Sequence, residues 1–163
     1  MNASIAALRS IIAYVAIALY VLITAPVGLL LALLFRWKAI LYWFGHGGIG
    51  LGLSLTGIQC RIVGRENVPK HGAVLFCSNH QSNVDPPVLF RALHPRLHLL
   101  YKAELRRLPL LGPALEVGGF IPVERRNREQ ARIAVEQLAQ ALQAGNSFLI
   151  FPEGTRSPTG ELL

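Results

Sequence analysis

His80 and Asp85 stand five residues apart in Asn79-His80-Gln81-Ser82-Asn83-Val84-Asp85, and Asp85 is the only aspartate of the 163-residue chain. The pair suits general-base chemistry. A neutral imidazole takes a proton from an alcohol, while a carboxylate on the other ring nitrogen fixes the tautomer and stabilises the imidazolium. Five residues do not bring the two side chains together in a strand or a continuous helix; a turn does. A surface histidine beside an N-capping aspartate is the competing reading, because both types are common in turns. Ser78 and Ser82 flank His80, but neither lies in a Gly-x-Ser-x-Gly elbow, so a serine hydrolase lacks its local signature here.

A second cluster is Phe151-Pro152-Glu153-Gly154-Thr155-Arg156-Ser157. Gly154 allows close approach of backbone to a ligand. Arg156 offers forked donors that match phosphate. Glu153 could accept from a substrate hydroxyl or hold an arginine in place, and an internal Glu–Arg pair in a polar turn is the bland alternative. A third cluster joins Lys102 to Arg125, Arg126 and Arg128. The arginines open a helix, where the macrodipole disfavours cations, so a phosphate facing Arg125 would give them a reason to be there. Arg126 and Arg128 read as a solvated basic face. No metal site is expected: His94 and His98 are separated by Pro95, with no glutamate to complete a zinc motif. They read as exposed loop histidines. Cys60 and Cys77 have no ligand spacing and read as buried free thiols.

The elements that must position these groups follow from punctuation and periodicity. Strands are expected at Arg61–Val63, Ala73–Cys77, Leu97–Tyr101, Gly119–Val123 and Ser147–Phe151. Asp85 before Pro86 suggests an N-cap, with a helix to Leu93. Lys102–Leu105 and Pro109–Val117 form helical turns. Asn127 and Gln130 form a capping box for a helix that buries Ala131, Val135, Leu138 and Leu142 and ends at Gly145. Alternating strands and helices predict an α/β layer structure with a largely parallel sheet. His80, Lys102, Arg125 and Glu153 all follow predicted strands, at the sheet edge where such folds place their sites.

Mean hydropathy is +0.42, hydrophobic residues make up 52%, and net charge is +7 with a pI near 10.1. A basic, apolar chain fits either nucleic acid or a membrane with anionic lipids or phosphate substrates. The aromatics are not interleaved with the basic residues as stacking platforms would be, which argues against nucleic acid. No charge occurs from Ser10 to Phe35. That run exceeds the roughly 20 residues needed to cross a bilayer and the about 7–15 of a signal-peptide core. A glycine-rich apolar stretch, Ala39–Cys60, follows as a second span or as the other arm of a hairpin in one leaflet. Residues 1–60 therefore read as a membrane-anchoring segment and 61–163 as the catalytic domain. Cations concentrate after the first apolar run, which places that domain on the cytoplasmic side of the membrane.

Taken together, the three clusters resemble the glycerolipid acyltransferase family, and within it the 1-acylglycerol-3-phosphate acyltransferases. The matching blocks are Asn79-His80-x4-Asp85, then Lys102-Ala103-Glu104-Leu105 with Gly118-Gly119-Phe120-Ile121-Pro122-Val123-Glu124-Arg125, then Phe151 to Ser157. The resemblance implies acyl transfer from acyl-CoA or acyl-carrier protein, as co-substrate and with no cofactor, to the free hydroxyl of lysophosphatidate. It implies His80 as base and Asp85 as its orienting carboxylate. Lys102, Arg125 and Arg156 would hold the acceptor phosphate, and Glu153, Gly154 and Thr155 would complete the acceptor pocket. Family members continue beyond the third block, so the domain is expected to be incomplete at its C-terminus. The same chemistry on a lyso-ornithine lipid, lysophosphatidylglycerol or glycerol 3-phosphate, a hydrolase using Ser82 or Ser78, and a non-catalytic lipid-binding module are the alternatives.

Overall fold

A computed structural model describes residues 3–161. The N-terminal apolar run is one helix, α1 (Ala3–Leu34), which contains Pro26. From Ser4 to Leu34 it is long and apolar enough to cross a membrane, the one such helix among the described residues. α2 (Ala39–Thr56) folds back along it. Glycines make the close approach possible. A Cβ on Gly47 would lie 2.6 Å from the Tyr20 hydroxyl, and one on Gly52 would lie 2.9 Å from Ile17. The Tyr20 hydroxyl donates to the Phe44 carbonyl at 2.9 Å, tying the two arms together. Outward-facing Ile11, Val15, Leu19, Leu22, Ile23 and Leu30 stay exposed, an apolar surface of the kind that lipid covers.

The rest is a parallel sheet with helices on both faces. β1 (Leu75–Cys77), α3 (Asp85–Ala92), β2 (Leu97–Lys102), α4 (Leu111–Val117), β3 (Ile121–Val123), α5 (Arg128–Gln143) and β4 (Ser147–Ile150) follow in order. The strand order is β1-β4-β2-β3, and every described pair is parallel. Leu75 to Cys77 register with Phe148 to Ile150, and Leu97 to Leu99 register with Ser147 to Leu149. Alternation along β4 sends Phe148 and Leu149 to opposite faces. Phe148 joins Ile121, Val123, Ala134 and Leu138 beneath α5. Leu149 joins Leu97, Phe90 and, from α2, Tyr42. The Tyr42 hydroxyl donates to the Gly118 carbonyl at 2.6 Å, so α2 is docked on the sheet domain by a buried bond as well as by its ring.

Several sequence expectations need correction. Arg61–Val63 is not a strand: no neighbouring chain pairs with it, and Ile62 and Val63 are exposed. Asp85 is not an N-cap. It is the first residue of α3, after Val84, and its carboxylate turns back into the preceding loop. Half of the capping box forms: Asn127 Oδ1 accepts from the Gln130 N–H, while the Asn127 N–H goes to Glu124. Val135 is 57% exposed because the buried stripe of α5 runs through Ala134 and Leu138, one step round the helix. His98 is buried in β2, with Nδ1 3.1 Å from the Ser147 carbonyl and its ring stacked on Phe148. Burial pushes its pKa down and outweighs the Ser147 hydrogen bond. Cys60 and Cys77 are both exposed, Cys77 because β1 is an edge strand whose α5-side face lies beyond the helix.

Candidate active site

β1 and β4 are parallel neighbours, so the residues that follow them emerge side by side. The last ladder bond between them runs from the Ser78 N–H to the Ile150 carbonyl, at 3.1 Å. In a parallel ladder the next donor on that side is two residues on, at His80. Its partner strand has by then turned at Pro152. Glu153 Oε1 takes the His80 N–H at 2.9 Å instead. The Ser157 N–H donates to the His80 carbonyl at 2.7 Å, so both backbone groups of His80 are held by the loop after β4.

The His80 side chain is held just as closely. Its Nδ1 lies 3.0 Å from Asp85 Oδ2. An ionised carboxylate only accepts, so Nδ1 carries the proton and Nε2 presents a lone pair. No described residue hydrogen-bonds Nε2. The ring lies on Phe151 with centroids 4.3 Å apart, and the residue is only 8% exposed. Asp85 Oδ2 also accepts the N–H groups of Gln81 and Ser82, each at 2.7 Å. Burial is the largest single influence on this carboxyl and pushes its pKa up. The N–H groups of Ser82 and Gln81 and the His80 ring together outweigh burial and hold it below the ordinary value. A carboxylate so held is the charged partner that an imidazole base needs.

The serines do not compete for this role: Ser78 Oγ donates to the Asn79 carbonyl, and Ser82 Oγ accepts from the Val84 N–H. Arg125, at the end of β3, donates to the Gly154 carbonyl and joins the third strand end to the same loop. Gly154 has φ +64 and open space where a Cβ would be. Lys102 ends β2 at the same sheet edge, but its Nζ pairs with Glu104 at 3.0 Å. Both side chains are more than half exposed, and such pairs contribute about 0–1 kcal/mol, so an anion could draw the lysine away. Thr155 and Arg156 are exposed on the loop. Hydrogen bonds thus link His80, Asp85 and Glu153, and separately Arg125 with Gly154, the next residue of the same loop, while Lys102, Thr155 and Arg156 lie outside both sets. Phe151 and Ser157 were assigned no role from sequence. They belong to the third block, but only the chain path shows that one supports the His80 ring and the other its carbonyl.

Beside this edge lies an apolar cavity of about 570 Å³ between the α1–α2 hairpin and the sheet domain. Ile17, Leu53 and Phe44 line it from the hairpin side, and Asn83, Val84 and Pro87 from the His80–Asp85 turn and the start of α3. Its size is that of a small-ligand site. Among the described residues no cluster of metal-ligating side chains occurs.

Comparison with known proteins places these features. A family model described as acyltransferase matches residues 59–163. The chain is 34% identical over 113 residues to the 1-acyl-sn-glycerol-3-phosphate acyltransferase of Borreliella burgdorferi, covering 69% of this chain and 45% of that protein. It is 33% identical over 131 residues to the Pseudomonas aeruginosa protein of the same name, covering 78% and 49%. The crystal structure of the 1-acyl-sn-glycerophosphate acyltransferase PlsC from Thermotoga maritima superposes with TM-score 0.80 at 23% identity, over 96% of this chain and 64% of that one. The chain thus spans about half the length of the curated relatives it matches.

Proposed function

The chain belongs to the acyltransferase family, and on that premise we propose that it acylates the free hydroxyl of 1-acylglycerol 3-phosphate, giving phosphatidate. The observation that carries this reading is the His80–Asp85 contact at 3.0 Å on the turn after β1. His80 Nε2 takes the hydroxyl proton of the acceptor. The oxygen attacks the thioester carbonyl of acyl-CoA or acyl-carrier protein, a tetrahedral intermediate forms, and the C–S bond breaks. The imidazolium returns the proton to the leaving thiolate. Asp85 holds the tautomer and stabilises the charge on the ring. Direct transfer needs no acyl-enzyme, in keeping with two serine hydroxyls that are engaged elsewhere.

Arg125, Arg156 and Lys102 would meet the acceptor phosphate, and Gly154 and Thr155 would lie against it. The apolar cavity beside Val84 and Pro87 suits an acyl chain. α1 would seat the protein in the membrane with the sheet domain on the cytoplasmic side, so that a lysolipid reaches the site from the leaflet. The activity for which the relatives are named supports lysophosphatidate as acceptor over other lysolipids. The test uses membranes carrying the chain, acyl-CoA and a panel of lysolipids. Wild type should produce phosphatidate, and His80→Ala should lower the rate by about 10²–10⁴. Transfer that survives His80→Ala would sink the mechanism, and thioester loss without any acceptor would point to hydrolysis.

A further inference from the structure

We propose that Glu153 is a positioning residue for His80: its carboxylate holds the His80 main chain in place and does not contact the acceptor. The inference rests on the acyl-transfer reading above and adds a role for this side chain that the reading does not need.

The argument starts from the ladder between β1 and β4. Cys77 registers with Ile150, and His80 and Glu153 each lie three residues beyond that pair. The Ser78 N–H still finds a backbone carbonyl, at Ile150. The His80 N–H is the next donor in the series, and β4 has left it at Pro152. His80 is 8% exposed, so water does not readily replace the missing carbonyl, and a buried N–H without a partner is costly. Glu153 Oε1 fills that place at 2.9 Å. A charged acceptor makes the stronger kind of hydrogen bond.

The bond also completes a clamp. Asp85 holds the ring at Nδ1 and takes the next two backbone N–H groups, of Gln81 and Ser82. Ser157 holds the His80 carbonyl. Glu153 supplies the remaining contact, on the His80 N–H itself. Without it, the peptide that carries the imidazole loses its anchor to β4, and a displacement of about 1 Å at a reacting group costs on the order of 100-fold in rate. A second carboxylate pointing at an acceptor phosphate would repel it, whereas a carboxylate turned onto a backbone N–H avoids that conflict.

Glu153→Ala and Glu153→Gln in the full chain separate positioning from substrate contact. Glutamine keeps an oxygen acceptor for the His80 N–H without the charge. In Glu153→Ala, hydrogen exchange at the His80 amide should quicken about tenfold or more, as loss of one hydrogen bond implies. Its kcat should fall about 100-fold, with KM for lysophosphatidate nearly unchanged. Glu153→Gln should keep His80 amide protection and recover most of kcat. A rise in KM for lysophosphatidate with kcat retained, a glutamine variant as impaired as alanine, or unaltered His80 exchange in Glu153→Ala would each overturn the proposal. If Glu153→Ala does not fold, Glu153→Gln decides: retained His80 protection supports the bond and lost protection overturns it. If the wild type transfers no acyl group to any lysolipid, the proposed function fails, and the exchange measurement still decides the role of Glu153.

Discussion

One oxygen of Asp85 takes three hydrogens, from the His80 ring and from the Gln81 and Ser82 amides. The two backbone donors fix the carboxylate, and the carboxylate fixes the imidazole. Asp85→Asn keeps an acceptor oxygen but loses the charge and can present an N–H to His80 in the wrong sense. Its acyl-transfer rate should fall by about 10²–10⁴. The folded-state pKa of Asp85 is lowered, so its contribution to stability is complete above the ordinary aspartate value of about 3.9. That contribution is lost as pH falls through the lower folded value. Thermal melts between neutral pH and pH about 3 should therefore lose less stability in Asp85→Asn than in wild type across the acid range. An equal loss in both proteins would show that this carboxyl is not held as described.

At the scale of elements, the short pieces between strands do the aiming. β2 ends at Lys102, a 3-10 turn covers Ala103–Arg107, and α4 starts at Leu111. The return is tight enough that a Cβ on Gly112 would lie 2.1 Å from the Arg106 carbonyl oxygen. That neighbour is backbone and cannot swing away. Gly112→Ala should therefore destabilise the protein by about 1–3 kcal/mol, measured by thermal unfolding in detergent, and an unchanged melting temperature would contradict this geometry. α5 shows how a helix is legible in outline. Its cap at Asn127 and its apolar period are local properties. Which of two adjacent residues, Ala134 or Val135, faces the sheet depends on how the helix rolls against Phe148 and Val123.

At the scale of the molecule, the hairpin and the sheet domain share a core. The Tyr42 ring stacks with Phe90 and Phe120, and its hydroxyl reaches the Gly118 carbonyl. Tyr42→Phe keeps the rings and removes one donor from that carbonyl, which the His98 ring also faces. It should cost about 0.5–1.5 kcal/mol and make the hairpin separable by limited proteolysis between Thr56 and Arg65. If the variant resists protease as wild type does, the remaining contacts, the ring stacking and the His46 Nε2 contact with the Pro95 carbonyl at 3.1 Å among them, are enough to hold the hairpin on the sheet. The apolar cavity lies between these two parts, so loosening the hairpin should also open it. The apolar outer face of α1 and the net charge of +7 suit an anionic membrane surface.

Local chemistry along the chain was enough to determine the His80–Asp85 turn, the apolar length of α1, the cap at Asn127 and the parallel α/β class. Each depends on residues a few positions apart, whose geometry the backbone itself constrains. The sequence left Asp85 a choice between capping α3 and turning back to His80, and three donors within five residues draw it back. Tertiary structure alone decided two other matters. Cys77 was left exposed because β1 took an edge place in the sheet, a matter of strand order that hydrophobicity does not encode. Glu153 met His80 across 73 residues because β1 and β4 became neighbours. A contact between distant residues follows from which strands pair, and pairing is settled by the packing of the whole chain.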